Sequence, residues 1–473
     1  MLADALPRRD TTHRKLAPRH ASGSTVSLRA LTARAAGHDA HATASFATRA
    51  GIAQLRRMTH TRADPSPPVP TDMPLGFDTQ LVRVRASGAN QPLSEPIVLA
   101  TTYSAPSAVR HREMFQDGST TFYRRFGNPT AAAAARLIAD LEGAEEGILF
   151  GSGMGAISTS LFAILRAGDH VIASREIFAQ TRTLLDTTLR GYGVETEFVD
   201  ARVASEVTSR IRRNTRLVYV ETPSNPLLHI VDIAAISGAL RPGIELYVDA
   251  TFGSPALQSP IQLGATLSLH SATKFLGGHS DVLGGVASGR RELIARIRDM
   301  QILLGTVQDP HAAWLLMRGI RTLGVRVRRQ AESALALARK LSAHSSVEAV
   351  FYPFLESDPG YAIASKQMRG GGGVVSFVVK GGTSASRRFA DALRLIPIAT
   401  SLGGVETIVE LPYDLDFEAD DVEGAAAVSP LGGTIRMSVG LEDVSDLWAD
   451  LDQALRPTSV TQSVSRRVEG STA

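Results

Sequence analysis

Six short runs between residues 147 and 269 are apolar on both faces and alternate with helical stretches. They are Gly147–Phe150, Val171–Ser174, Glu197–Val199, Leu217–Glu221, Leu246–Asp249 and Thr266–Leu269. A strand exposed on one face alternates apolar with polar residues; a strand covered on both faces does not need to. Strand–helix alternation with such strands predicts an α/β fold with a doubly wound, mostly parallel sheet. Downstream the rhythm changes. One continuous helix is expected from Pro310 to about Ala343, then strands Val347–Tyr352 and Val374–Val379. A helix near Ala385–Arg394, a strand Thr434–Val439 and a helix near Val444–Leu455 follow. That mix reads as a smaller α+β domain at the C-terminal end. The Gly370–Gly373 run reads as a flexible loop, and the acidic stretch Asp414–Glu423 as a solvated one.

Composition removes several function classes. The chain of 473 residues contains no cysteine, which excludes disulfides, Cys-ligated metals and thiol nucleophiles. No His-x-x-x-His or His-Glu-x-x-His pair occurs, so no metal is expected. No stretch reaches the ~20 apolar residues of a membrane span. Residues 1–72 hold eleven Lys and Arg against five Asp and no Glu, while the remainder is mildly acidic. The basic balance therefore belongs to the tail, and the body gives no reason to expect nucleic acid. The tail has the Arg-rich, acid-poor make-up of an organellar transit peptide. A disordered extension, or an upstream start codon, is the simpler account. The expected location is cytoplasmic, with organellar import left open. Residues 1–72 are read as an extension dispensable for folding, and 458–473 as a polar tail.

Three segments carry chemistry. Ser152-Gly153-Met154-Gly155-Ala156 follows a strand and opens a helix, where backbone N–H groups make an anion site. Such a turn suits phosphate binding and suits plain turn geometry equally. Ser271-Ala272-Thr273-Lys274 places a lysine just after an apolar strand, beside two hydroxyls. A partly desolvated lysine there suits Schiff-base chemistry, which needs the neutral amine; a surface lysine ending a strand is the bland alternative. Asp249 ends another strand, where ligands of open α/β sheets gather. It could keep a pyridinium nitrogen protonated, or simply cap the next turn. A nicotinamide-dependent oxidoreductase would need an acidic ribose partner ~20 residues past the glycine turn. The segment there reads Val171-Ile172-Ala173-Ser174 instead. A catalytically silent binding protein is disfavoured by the intact Lys274 and Asp249.

Six ordered motifs give a resemblance. They are Tyr123-Arg124-Arg125-Phe126-Gly127-Asn128-Pro129-Thr130, Ser152-Gly153-Met154, Glu221-Thr222-Pro223-Ser224-Asn225-Pro226, Ser271–Asp281, Ser401-Leu402-Gly403-Gly404-Val405-Glu406 and Arg436-Met437-Ser438-Val439-Gly440. From about Gly76 to Leu455 the chain resembles the cysteine/methionine-metabolism enzymes that use pyridoxal 5'-phosphate (PLP). These include cystathionine γ-synthase, cystathionine γ-lyase, methionine γ-lyase and the homoserine sulfhydrylases.

The resemblance implies an aspartate-aminotransferase-type fold (fold type I). It implies a 73–135 arm that completes the neighbouring active site, a large PLP domain at 136–325 and a small domain at 326–457. It implies a homotetramer of two active dimers acting on a small amino-acid substrate. Lys274 would carry the cofactor as a Schiff base, and Asp249 would pair with the pyridine nitrogen. Gly153, Met154, Ser271 and Thr273 would hold the phosphate, joined by Tyr123 and Arg125 of the neighbouring subunit. Tyr123 stands with Lys274 among the candidate catalytic residues. Phe178 would stack on the ring, and Asn225, Ser401 and Arg436 would surround the substrate carboxylate. The implied chemistry is γ-elimination or γ-replacement on homoserine-derived and sulfur amino acids. Gly278-His279-Ser280-Asp281 leans toward the cystathionine members, and Phe178 toward the sulfhydrylases. Three departures bear on substrate: Phe178 stands where most members have Tyr, Thr400 where cystathionine enzymes usually have Glu, and the acidic run where a Thr-His-Ala-Ser segment is usual.

Overall fold

The structure, a computed structural model, describes residues 75–82, 92–117, 119–412 and 433–456. The acidic run and both tails lie outside these residues. Seven strands form the larger sheet: β1 (Glu146–Phe150), β2 (His170–Ser174), β3 (Glu195–Val199), β4 (Thr215–Glu221), β5 (Glu245–Asp249), β6 (Leu267–Ser271) and β7 (Gly285–Gly289). Their order is β1-β7-β6-β5-β4-β2-β3. The run from β6 to β3 is parallel, and β7 is antiparallel to both of its neighbours.

Successive residues of a strand point to opposite faces, and here both faces are buried. Tyr219, Tyr247 and Leu269 pack on one side with Leu161 of the helix Gly153–Ile164. Val218, Val220 and Val248 pack on the other with Ile233 and Ile236. This is why these strands lack polar alternation. At ~25 cal/mol per Å2 of buried apolar surface, such two-sided burial makes the sheet the stable frame of the molecule.

A second, wholly antiparallel sheet has the order β10-β11-β9-β8, from β8 (Val347–Phe351), β9 (Val374–Val379), β10 (Ile408–Glu410) and β11 (Thr434–Ser438). Leu337 and Leu341, Phe389, and Leu447 and Leu451 from three helices complete its core. Among the described residues, no helix is long and apolar enough to cross a membrane.

Two expectations are corrected. The helix expected from Pro310 to Ala343 is two helices, Pro310–Ile320 and Leu323–Ser342. The break has a clear cause. The Gly319 carbonyl accepts the Thr322 amide (3.1 Å) and hydroxyl (3.1 Å), a tight turn that ends the first helix. It also accepts the buried Arg326 guanidinium at 2.9 Å. The Gly370–Gly373 run is packed rather than flexible. A Cβ on Gly371 would lie 2.4 Å from the Tyr352 ring, and one on Gly373 3.0 Å from Gln330. Gly371 and Gly373 let the chain pass close to these side chains.

Candidate active site

Parallel strands end on a common edge, and three of these ends carry the site. Glu221 of β4 and Asp249 of β5 are paired neighbours, and β6 closes beside them at Ser271. The Asp249 carboxylate is buried. Its Oδ1 accepts the Thr251 hydroxyl at 2.6 Å and the Thr251 amide at 3.1 Å. The same Thr251 hydroxyl accepts the Ser271 amide at 2.8 Å, which ties the β5 end to the β6 end. Burial raises the Asp249 pKa, against the Thr251 donors that lower it. A buried carboxylate of this kind needs a cation, or a donor N–H, to be at ease.

The glycine turn lies alongside. Ser152 caps the helix Gly153–Ile164, its hydroxyl accepting the Gly155 amide at 2.9 Å. The first amides of a helix have no acceptor within it, and the dipole there favours an anion. A Cβ on Gly153 would lie 2.9 Å from the Ser271 side chain. The glycine therefore lets the helix start press against Ser271, and a larger residue would fill the cradle. Thr273 faces the next segment, its hydroxyl accepting the Gly284 amide at 3.1 Å. Met154 contributes its backbone to the helix start, while its sulfur accepts the Thr181 hydroxyl at 3.8 Å.

Lys274 follows β6 by three residues. Its Nζ donates to the Ser401 hydroxyl at 2.7 Å. Burial, then the nearby Arg436 guanidinium, lowers its pKa to about 8, opposed by Glu410. A lysine poised there carries a usable fraction of neutral amine near neutral pH. Behind it, Arg326 donates to the Phe275 carbonyl at 2.9 Å and locks the turn in place. Gly403, at φ +78°, lets the Ser401–Gly404 loop lie against the same turn, where a Cβ would sit 2.6 Å from the Phe275 nitrogen.

Arg436 comes from β11 and is buried. It donates to Asn225 Oδ1 and to the Ser401 carbonyl, both at 2.9 Å, and is ion-paired with Glu410. Lys274, Ser401, Arg436 and Asn225 thus form one connected cluster. Phe178 is 39% exposed, and its amide donates to the Glu221 carboxylate at 2.8 Å. Beside the cluster lies a cavity of about 480 Å3 lined by Thr273, Asp281, Thr400, Ser401, Glu406 and Ile408, among others.

Tyr123 and Arg125 are not brought to this cluster. Arg125 donates to the Ile302 carbonyl at 2.9 Å and stacks on Tyr123 and Phe126. Among the described residues, neither has a hydrogen bond or ring contact to Lys274, Asp249 or Ser271. Sequence reasoning gave no part to Glu221, Glu410, Thr251 or Arg326. Only Glu221 carried a signal, as a carboxylate closing a strand next to one that ends in Asp249.

The residues fit PLP. A buried carboxylate suits its ring nitrogen, a helix start with small residues suits its phosphate, and a partly neutral lysine suits its aldehyde. When bound, PLP supplies an electron sink that acidifies the Cα–H of an attached amino acid.

Comparison with known proteins agrees. The family model described as Cys/Met metabolism PLP-dependent enzyme matches residues 78–456. The chain is 40% identical over 388 residues to an L-methionine gamma-lyase of Pseudomonas deceptionensis, covering 80% of this chain and 97% of that protein. It is 39% identical over 365 residues to a cystathionine gamma-lyase of Bacillus subtilis (strain 168), covering 77% and 94%. A crystal structure of metB from Corynebacterium glutamicum superposes with a TM-score of 0.75 at 37% identity, covering 80% of this chain and 98% of that one. With the lysine, the buried carboxylate and the anion cradle on one sheet edge, the chain belongs to the PLP-dependent enzymes of cysteine and methionine metabolism.

Proposed function

We propose that this protein is a γ-lyase of sulfur amino acids, releasing a thiol, 2-oxobutanoate and ammonia from L-methionine or L-cystathionine. One observation carries the reading. Ser401 accepts the Lys274 amine on its hydroxyl and Arg436 on its carbonyl, at 2.7 and 2.9 Å. An amino acid whose carboxylate sits on Arg436 therefore has its α-carbon within reach of the Lys274 amine. Similarity to the methionine and cystathionine gamma-lyases supports the choice of elimination.

Each residue then has a task. The Arg436 fork takes the substrate carboxylate, with Asn225 steadying the guanidinium. Glu410 neutralises Arg436 until that carboxylate arrives. Lys274 Nζ removes the Cα proton, and its lowered pKa matches that work near neutral pH. Asp249 would keep the ring nitrogen of bound PLP cationic, and Phe178 would lie over the ring. Gly153, Met154, Ser271 and Thr273 receive the phosphate.

The assay is direct. The holoenzyme is incubated with L-methionine, with L-cystathionine, and with an O-acylhomoserine plus L-cysteine. Release of 2-oxobutanoate from either of the first two is expected. Turnover of the third mixture alone, to cystathionine, would replace the lyase by a γ-replacing synthase.

The active unit of this reading is a pair of chains within a homotetramer, with Tyr123 and Arg125 serving the neighbour's site. Their separation from Lys274 in their own chain supports it. Lys274→Ala and Arg125→Ala proteins should each be nearly inactive. Mixed by co-expression they form heterodimers with one doubly damaged and one intact site, so roughly one quarter of all sites should work. Mixtures that exchange subunits yet stay inactive would reject the shared site.

A further inference from the structure

Glu221 has no part in the chemistry above, yet it is 3% exposed and sits beside Asp249. Its two oxygens face different ways. Oε2 accepts the Phe178 amide at 2.8 Å, and Oε1 accepts the Asn225 amide at 3.0 Å. Phe178 lies beyond β2 and Asn225 beyond β4, so one side chain joins two loops from different strands. Asn225 in turn receives Arg436 at 2.9 Å. We propose that Glu221 is the positioning residue that sets the ring-covering Phe178 and the carboxylate-binding Asn225–Arg436 pair from a single carboxylate. The inference rests on the site reading given under Proposed function.

A carboxylate is the group this task requires. Two backbone N–H donors converge on it, and an ionised carboxylate offers an acceptor to each. Glutamine offers one acceptor and turns its NH2 toward the other amide, donor against donor. The cost of the arrangement is a second buried acid beside Asp249. Burial and the Asp249 charge both raise the Glu221 pKa, and the two amides oppose them. Glu176 is a second staple between the same two loops. It accepts the Ser224 hydroxyl at 2.9 Å and pairs with the His229 ring at 2.6 Å. With that second staple in place, loss of Glu221 should shift the loops rather than unfold them.

The test uses Glu221→Gln holoenzyme beside the parent. Two readouts are taken on a complex that does not turn over. The first is the visible circular dichroism of bound PLP, which reports the ring's asymmetric surroundings, Phe178 among them. The second is the Kd of L-alanine, read from the visible absorbance of the bound cofactor. Alanine has the α-carboxylate for Arg436 and no γ-substituent to lose. The visible ellipticity per bound PLP should fall to half or less, and the Kd for L-alanine should rise about tenfold. A lowered Tm with both readouts at parental values would make Glu221 structural only and overturn the inference; so would no change in any of the three. Should Glu221→Gln give no folded holoenzyme, Glu221→Asp keeps the charge but is one methylene short of spanning both amides. The same two changes are expected from it at smaller size, and parental values again overturn the inference. Neither readout depends on which sulfur amino acid the parent cleaves, so a failed lyase assay and a failed positioning test are separate results.

Discussion

The two sheets supply the site in different ways. The seven-stranded sheet brings Asp249, Ser271 and Lys274 from one short stretch of chain, at the ends of two adjacent parallel strands. The four-stranded sheet supplies Arg436, whose partner Asn225 lies 211 positions away. On the proposed reading, the groups for the cofactor are built by local geometry on one sheet edge, and those for the substrate by the docking of one sheet's residues onto the other's loops. Damage on the first side should therefore strike chemistry and cofactor retention, and damage on the second should strike substrate recognition alone.

The sharpest break is Lys274→Ala. It should fold, lose turnover by about 10^3-fold or more, and yield no borohydride-trapped adduct, because proton transfer by a placed base is worth about 10^2 to 10^4. Near-normal turnover would remove the cofactor side of the comparison. Next is Arg436→Lys. A point charge replaces a two-pronged donor, so KM for amino-acid substrates should rise about tenfold or more. The absorbance of bound PLP should stay as in the parent. An altered spectrum with normal KM would show that the two sides are not separable.

Gly153→Ala tests the cradle. Its new methyl meets Ser271 at 2.9 Å, an overpacking worth about 1–3 kcal/mol, so PLP should bind about tenfold or more weakly. KM measured at saturating PLP should be unchanged. The last test concerns pH. Lys274 carries a proton below its pKa of about 8 and loses it above. PLP uptake by the apoprotein, which needs the neutral amine, should quicken as pH rises from 6 through about 8 and then level. A rate that kept rising well past pH 8 without levelling would mean that burial does not lower this lysine.

The same contrast explains what the sequence disclosed. Buried parallel strands announce themselves by apolar runs, and Lys274 and Asp249 were legible because they end such runs. β7 was not, since Gly285-Val286-Ala287-Ser288-Gly289 is built of small residues. Its size is imposed by a neighbour: a Cβ on Gly285 would sit 2.1 Å from the Ser152 carbonyl. The helix break at Arg321–Thr322 was hidden because the Gly319–Thr322 turn is braced by Arg326, which is itself held by a tertiary contact to the Phe275 carbonyl. Tyr352 hid the packing of the Gly370–Gly373 run in the same manner. Arg436, Asn225 and Ser401 were legible only through family resemblance, because contacts across two hundred residues leave no periodicity to read. Glu410 and Thr251 had no local signature at all, and Glu221 had only its place at a strand end.

Ser401 holds its backbone at φ +89°, a conformation that favours glycine, while its hydroxyl and carbonyl serve Lys274 and Arg436. A non-glycine residue in that region costs about 1–3 kcal/mol. Ser401→Gly would release that strain and remove the hydroxyl in one stroke. Selection for heat resistance and selection for turnover should therefore pull in opposite directions at this residue. A library screened only for survival on heating would be enriched in glycine at 401, and its winners would be hardy, well-folded proteins with a misplaced lysine.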